Sequence, residues 1–203
     1  MANDYYLQNN LAIVMTLVSS KFKEGLSLFH DRVAAMKERS EYIAKPTAST
    51  KLVGPQTAVA EVDGFSVTSD EPEWLGGYKT GPTPSALFCA SIGFAEDFIF
   101  ARQAVLHGVD FDHYETRVEG HWDMKGSFGF DGRDPTVTEF QIETKVTSQA
   151  PVEKIVELVK LTNLRCPMTA TVSKAAVVSR KLWVNGTEVS LQAGPKLRDS
   201  LGS

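Results

Sequence analysis

The stretch from Pro84 to Leu106 constrains this chain more than any other part of it. Thr83 suits a helix N-cap, Pro84 suits the first helical position, and Gly108 suits the stop. Between those ends, Leu87, Phe88, Ile92, Phe94, Phe98, Ile99, Phe100, Val105 and Leu106 fall on nearly every side of a 3.6-residue period. A helix that is apolar around most of its circumference has to be covered around most of it. In a chain of 203 residues, that requires a sheet on one face and a further helix, from this chain or from a partner subunit, on the other.

The flanking segments supply candidates for both covers. Ala58–Val62 and Phe65–Thr68 alternate in strand fashion around Asp63-Gly64, a hairpin turn pair. Tyr114, Thr116, Val118, Gly120 and Trp122 alternate with polar residues, as do Phe140, Ile142, Thr144 and Val146. A second amphipathic helix carries Val152, Ile155, Val156, Val159 and Leu161, and Cys166-Pro167 breaks it. Strands around Ala175–Val178 and Lys181–Val184 lead to Asn185-Gly186, and Thr187–Leu191 returns. Upstream, Leu11, Val14, Val18, Phe22, Leu26, Phe29, Val33 and Met36 form one helical stripe, which packs either on its own domain or at a dimer contact. The pattern is α+β: antiparallel sheets, a long buried central helix and a second amphipathic helix. Its divisions read as a helical extension over residues 1–50, a main domain over 51–192 and a flexible tail over 193–203.

Composition narrows the partners. A net charge of -4 offers no electrostatic case for nucleic acid or for an anionic membrane. The run Leu11–Val18 is too short to span a bilayer and lacks the positive flank of a signal peptide, so the cytoplasm is the expected location. Two cysteines cannot form a secreted disulfide framework. His107, His113 and His121 lack zinc spacing, and no phosphate loop is present, so neither a metal nor an organic cofactor is expected.

The two cysteines, Cys89 and Cys166, are the candidate catalytic residues. Cys166 stands where it would cap a helix that starts at Pro167, its sulfur facing unpaired amide donors and the positive end of the dipole. That setting lowers a thiol pKa and raises the thiolate fraction. Cys89 lies within the apolar helix itself. The alternative for both is the role of a small buried hydrophobe. A disulfide between them requires Cα atoms within about 7 Å, which the sequence leaves open.

Three segments carry a family resemblance: Asp70-Glu71-Pro72 through Leu75-Gly76-Gly77, Gly81-Pro82-Thr83-Pro84 opening the central helix, and Cys166-Pro167-Met168-Thr169 after the second helix. With the strand order, residues 55–190 resemble the OsmC/Ohr proteins (osmotically inducible protein C and organic hydroperoxide resistance), which are thiol-dependent peroxide reductases. The resemblance implies an OsmC-like fold, an intertwined homodimer with the long helices at its centre, sites at the subunit interface, and a thiol reductant. It also implies a reactive role for Cys166, which matches the family's second, disulfide-forming cysteine. The family's peroxide-reacting cysteine falls on Ala95, its carboxylate on Ser85, and its early arginine has no counterpart between Arg39 and Arg102. Cys89 lies six residues before Ala95, about 9 Å along the axis and roughly 120° around it, and so occupies a different point in space.

Three functions follow. The first is reduction of organic hydroperoxides in the oxidative-stress response, with Cys166 and Cys89 as the redox pair. The second is a non-catalytic relative that binds a small hydrophobic ligand. The third is a one-cysteine redox sensor using Cys166.

Overall fold

The computed structural model describes Phe29, residues 32–40 and residues 42–191. The chain divides into two compact units, Met1–Thr47 and Ala48–Ser203. In the first, residues 32–37 are helical and the Arg39 guanidinium lies 5.5 Å from the Tyr42 ring centre. Most of the expected N-terminal stripe, Leu11 to Leu26, lies outside the described residues, as does the tail expected over 193–203.

The second unit opens with a three-stranded antiparallel sheet, β1 (Ala48–Leu52), β2 (Thr57–Val62) and β3 (Phe65–Asp70). Asp63 and Gly64 both adopt positive φ, as the hairpin turn between β2 and β3 requires. Next comes α1 (Pro84–Leu106), then β4 (His113–His121), the short α2 (Met124–Ser127), β5 (Glu139–Thr147), α3 (Val152–Arg165), α4 (Pro167–Val172), β6 (Val177–Val184) and β7 (Thr187–Val189). These last four strands form a second sheet in the order β4-β5-β6-β7.

One pair in that sheet departs from the antiparallel expectation: β5 and β6 run parallel, Glu139 opposite Val177 and Val146 opposite Val184. The helices α3 and α4 intervene between the two strands, and such a crossover is what a parallel neighbour needs. Along β5, Phe140, Ile142, Thr144 and Val146 turn inward, while Gln141 and Lys145 face out. Against that inner face, Phe100 and Ala104 of α1 meet Ile155, Leu158 and Val159 of α3 and Leu182 and Val184 of β6. A second cluster joins Ile92 of α1 to Phe140, Ile142 and Val172. Phe100 also stacks on Tyr114 at 4.0 Å between ring centres. Each large side chain buried this fully contributes about 1.5–3 kcal/mol.

By length and composition alone α1 could cross a membrane. Its packing on the sheet identifies it instead as the core helix of this fold. Among the described residues its buried side carries Ile92, Gly93, Glu96, Phe100, Gln103 and Ala104. Phe94 and Phe98 on other sides are each 60% exposed, and every residue of β1 is exposed too.

The loop that feeds α1 is anchored at Asp70. Its carboxylate accepts from the Thr57 hydroxyl at 3.0 Å, from the Tyr78 and Thr80 amides at 3.1 and 2.9 Å, and from the Thr80 hydroxyl at 2.7 Å. Led by the Thr80 N–H, these donors hold the Asp70 pKa at about 2. The chain folds back so tightly that a Cβ on Gly77 would lie 1.9 Å from the Glu71 carbonyl oxygen. That close approach explains the glycine.

Candidate active site

Cys166 takes the expected backbone position. It is the N-cap of α4, with Pro167 first in the helix, and its own N–H closes α3 on the Thr162 carbonyl at 2.8 Å. Its side chain does something else. The sulfur accepts no cap hydrogen bond, and the residue is 0% exposed. Sulfur is a weak acceptor that packs well as a hydrophobe, and burial satisfies it better than the first-turn amides do.

The helical turn that Cys166 begins nevertheless reaches a buried charge cluster. Thr169, three residues on and hence on the same side of the turn, donates its hydroxyl to Glu96 Oε1. Glu96 belongs to α1, next to Ala95, and is 0% exposed. Its Oε1 also lies 3.1 Å from Arg180 Nη2, and the Arg180 side chain is 7% exposed. Arg180 Nη1 donates to Thr144 Oγ1 at 3.3 Å. Glu96 Oε2 has no hydrogen-bond partner. Taking two charges out of water costs several kcal/mol per ion, so such a pair survives only when each holds the other.

This arginine–carboxylate pair escaped the sequence reading, which sought an arginine ahead of the central helix. A signal for it exists. Arg180 shares the phase of Val178, Leu182 and Val184 on β6, so strand alternation alone turns it inward.

On another side of α1, an open groove of about 530 Å³ runs between the helix and β4. Cys89, Gly93 and Asp97 of α1 face Thr116, Val118 and Trp122 across it. Cys89 is half-buried. Burial pushes its thiol above the usual range, the Gly120 N–H opposes that shift, and the Glu119 charge adds to it. Asp97 stands at the other end of the helical wall. Burial raises its carboxyl, the nearby Thr116 hydroxyl opposes the rise, and Glu96 reinforces it. Asp97 Oδ1 and the Thr116 hydroxyl both lack a partner in hydrogen-bond geometry. Ser85, where the resemblance places a carboxylate, lines the same groove and shares a 3.0 Å hydrogen bond with the Thr83 hydroxyl. No group of three or more His, Cys, Asp or Glu side chains could hold a metal among the described residues.

The family model for OsmC-like protein matches residues 76–180, from the glycines before α1 to the buried arginine of β6. The chain belongs to that family. Solved structures share its fold across about seventy per cent of its length. An OsmC-like protein from Mycoplasma pneumoniae is 16% identical, with a TM-score of 0.62 over 70% of this chain and 99% of that one. An organic hydroperoxide resistance protein from Elizabethkingia anophelis is 13% identical, with a TM-score of 0.58 over 71% and 99%. A Legionella pneumophila protein described as an organic hydroperoxide resistance protein OsmC is 14% identical, with a TM-score of 0.54 over 71% and 100%. No curated protein matches the chain closely enough to count as a relative. At these identities the shared property is the OsmC-like fold, as the motifs around α1 and Cys166 led one to expect. The chemistry has to be read from this member's own side chains.

Proposed function

We propose that this OsmC-like protein serves the oxidative-stress response by reducing organic hydroperoxides slowly at Cys89. One observation carries the reading: Cys89, unlike the sealed Cys166, stands on the wall of a groove whose floor is mostly apolar. In the reaction the Cys89 thiolate attacks the distal oxygen of the hydroperoxide, the O–O bond breaks, and the alkoxide leaves as alcohol after taking up a proton. The resulting sulfenic acid condenses with an external thiol, releasing water. A second thiol then reduces that mixed disulfide and restores Cys89. No metal or organic cofactor enters these steps.

Slowness follows from the raised thiol pKa, because the thiolate is the nucleophile. Alkylation of Cys89 by a neutral reagent therefore climbs with pH to beyond about 8.5, the ordinary thiol value. A homodimer in the cytoplasm fits the reading. The exposed Phe94 and Phe98 and the bare β1 give a second copy something to cover.

Thiol counting before and after treatment with cumene hydroperoxide tests the proposal. The expected result is loss of the Cys89 thiol, its recovery on reduction, and no loss in Cys89→Ser. Retention of both thiols overturns it. The second reading, ligand binding without chemistry, is favoured by the protonated state that burial imposes on Cys89.

A further inference from the structure

Buried polar atoms without a hydrogen-bond partner gather where α1 meets β4 and β6: Glu96 Oε2, Asp97 Oδ1, Tyr114 Oη, Thr116 Oγ1 and Arg180 Nη2. One network of side chains joins them. Glu96 Oε1 lies 3.1 Å from Arg180 and accepts from the Thr169 hydroxyl. Thr116 stands against both the Asp97 carboxyl and the Tyr114 phenol, and the Glu96 charge reaches these two groups.

Counting charge across this network leaves it one cation short. Glu96 and Asp97 are adjacent on α1, and the guanidinium beside them is committed to Glu96 and to the Thr144 hydroxyl at 3.3 Å. The charge that acts on Asp97 is that of Glu96, which has the same sign. Tyr114 adds none, because burial first and Glu96 second hold its phenol far above the usual range. On the groove side, Glu119 is engaged by Arg117 at 3.0 Å and by His121 at 2.9 Å. Cys89, the other titratable group on that wall, is eight residues away, about 12 Å along the helix axis.

Two carboxyls in one low-dielectric site do not both ionise readily; one of them keeps its proton. Arg180 and Thr169 both serve Glu96 and so decide which one ionises. We propose that Asp97 is a proton-binding site, protonated in the folded protein at pH values where an ordinary aspartate is ionised, and that folding is therefore linked to proton uptake at this position. The protonated carboxyl can donate to the Thr116 oxygen, whereas the carboxylate has only the Thr116 hydroxyl to set against the Glu96 charge. Phe94 is a helical neighbour of Asp97, three residues before it. A second copy seated on Phe94 deepens the burial of Asp97, so the proton is held with or without a dimer.

Asp97 binds its proton more tightly in the folded chain than in the unfolded one. Stability therefore falls as pH rises from the ordinary carboxylate value of about 3.9 to the raised value in the fold, and is level on either side of that interval. Urea denaturation of the protein and of Asp97→Asn, in parallel from about pH 4 to about pH 8, tests this. Asparagine keeps the shape of the neutral carboxyl and cannot ionise. The expected result is that the folding equilibrium constant of the parent, relative to that of Asp97→Asn, falls by up to about tenfold per pH unit. Infrared spectroscopy gives a readout that does not depend on stability. The parent should keep the carbonyl stretch of a protonated carboxyl above about pH 5.5, where ordinary carboxylates have ionised, and Asp97→Asn should lack it.

A ratio of folding constants that is independent of pH, or that rises with it, overturns the proposal. So does a protonated-carboxyl band that survives in Asp97→Asn, which puts the proton elsewhere. Absence of the band from the parent protein overturns it even if the variant fails to fold.

Discussion

Two sides of α1 make an instructive pair. On the inner side Ile92, Glu96 and Phe100 are fully buried against the four-stranded sheet, α3 and α4, and the Glu96 carboxylate is answered by Arg180. On the outer side Phe94 and Phe98 stand exposed, and Cys89 and Asp97 line a groove with polar atoms left unpaired. The inner side has its packing closed, although Glu96 Oε2 and Arg180 Nη2 keep no hydrogen-bond partner there and depend on their mutual ion pair. The outer side has its packing open, and an exposed apolar surface is where a ligand or a second copy finds free energy to gain. The two cysteines divide along a similar line. Cap geometry favours Cys166 as a reactive thiol, but access favours Cys89, and a sulfur that no reagent reaches does no chemistry while the protein stays folded.

The largest expected effect falls on the inner side. Arg180→Met strands Glu96 in the core and is expected to cost about 3–5 kcal/mol in urea denaturation. The double variant Arg180→Met/Glu96→Leu should recover most of that loss, because no buried charge remains. A single variant as stable as the parent would mean that the pair does not define the inner side at all.

Next come the thiols. Cys166→Ser places a hydroxyl where the side chain has no hydrogen-bond partner, at an expected cost of about 1–3 kcal/mol. Cys89→Ser, half-buried and beside the Gly120 N–H, should stay within about 1 kcal/mol of the parent. Equal losses at the two positions would erase the contrast in burial between them.

The smallest effect on folding belongs to the outer side. Phe98→Asp should change the stability of the folded monomer by no more than about 0.5 kcal/mol. It should still lower the mass measured by light scattering if that side seats a second copy. An unchanged mass, together with an unchanged melting profile, would leave the outer side without a partner.

Much of this arrangement was legible in the chain. The helix limits at Thr83 and Pro84, the turns at Asp63-Gly64 and Asn185-Gly186, and the alternation of β4 and β5 are local matters of cap, φ and period. The motifs before α1 and at Cys166 led to the family. The parallel pairing of β5 with β6 was less legible, because pairing partners are chosen across the crossover and not within either strand. Arg180 and Glu96 were missed for the same reason. They are 84 residues apart (180 minus 96), and neither is unusual until the other is beside it.

Sequence by itself therefore determined the elements of this protein, its long apolar helix and its OsmC-like membership, since propensity and periodicity act over a few neighbouring residues. Tertiary structure alone decided which of two thiols is sealed and which is half-buried, and which acid is paired with arginine. Burial and Coulomb interactions depend on distance in space, and chain order does not encode that distance.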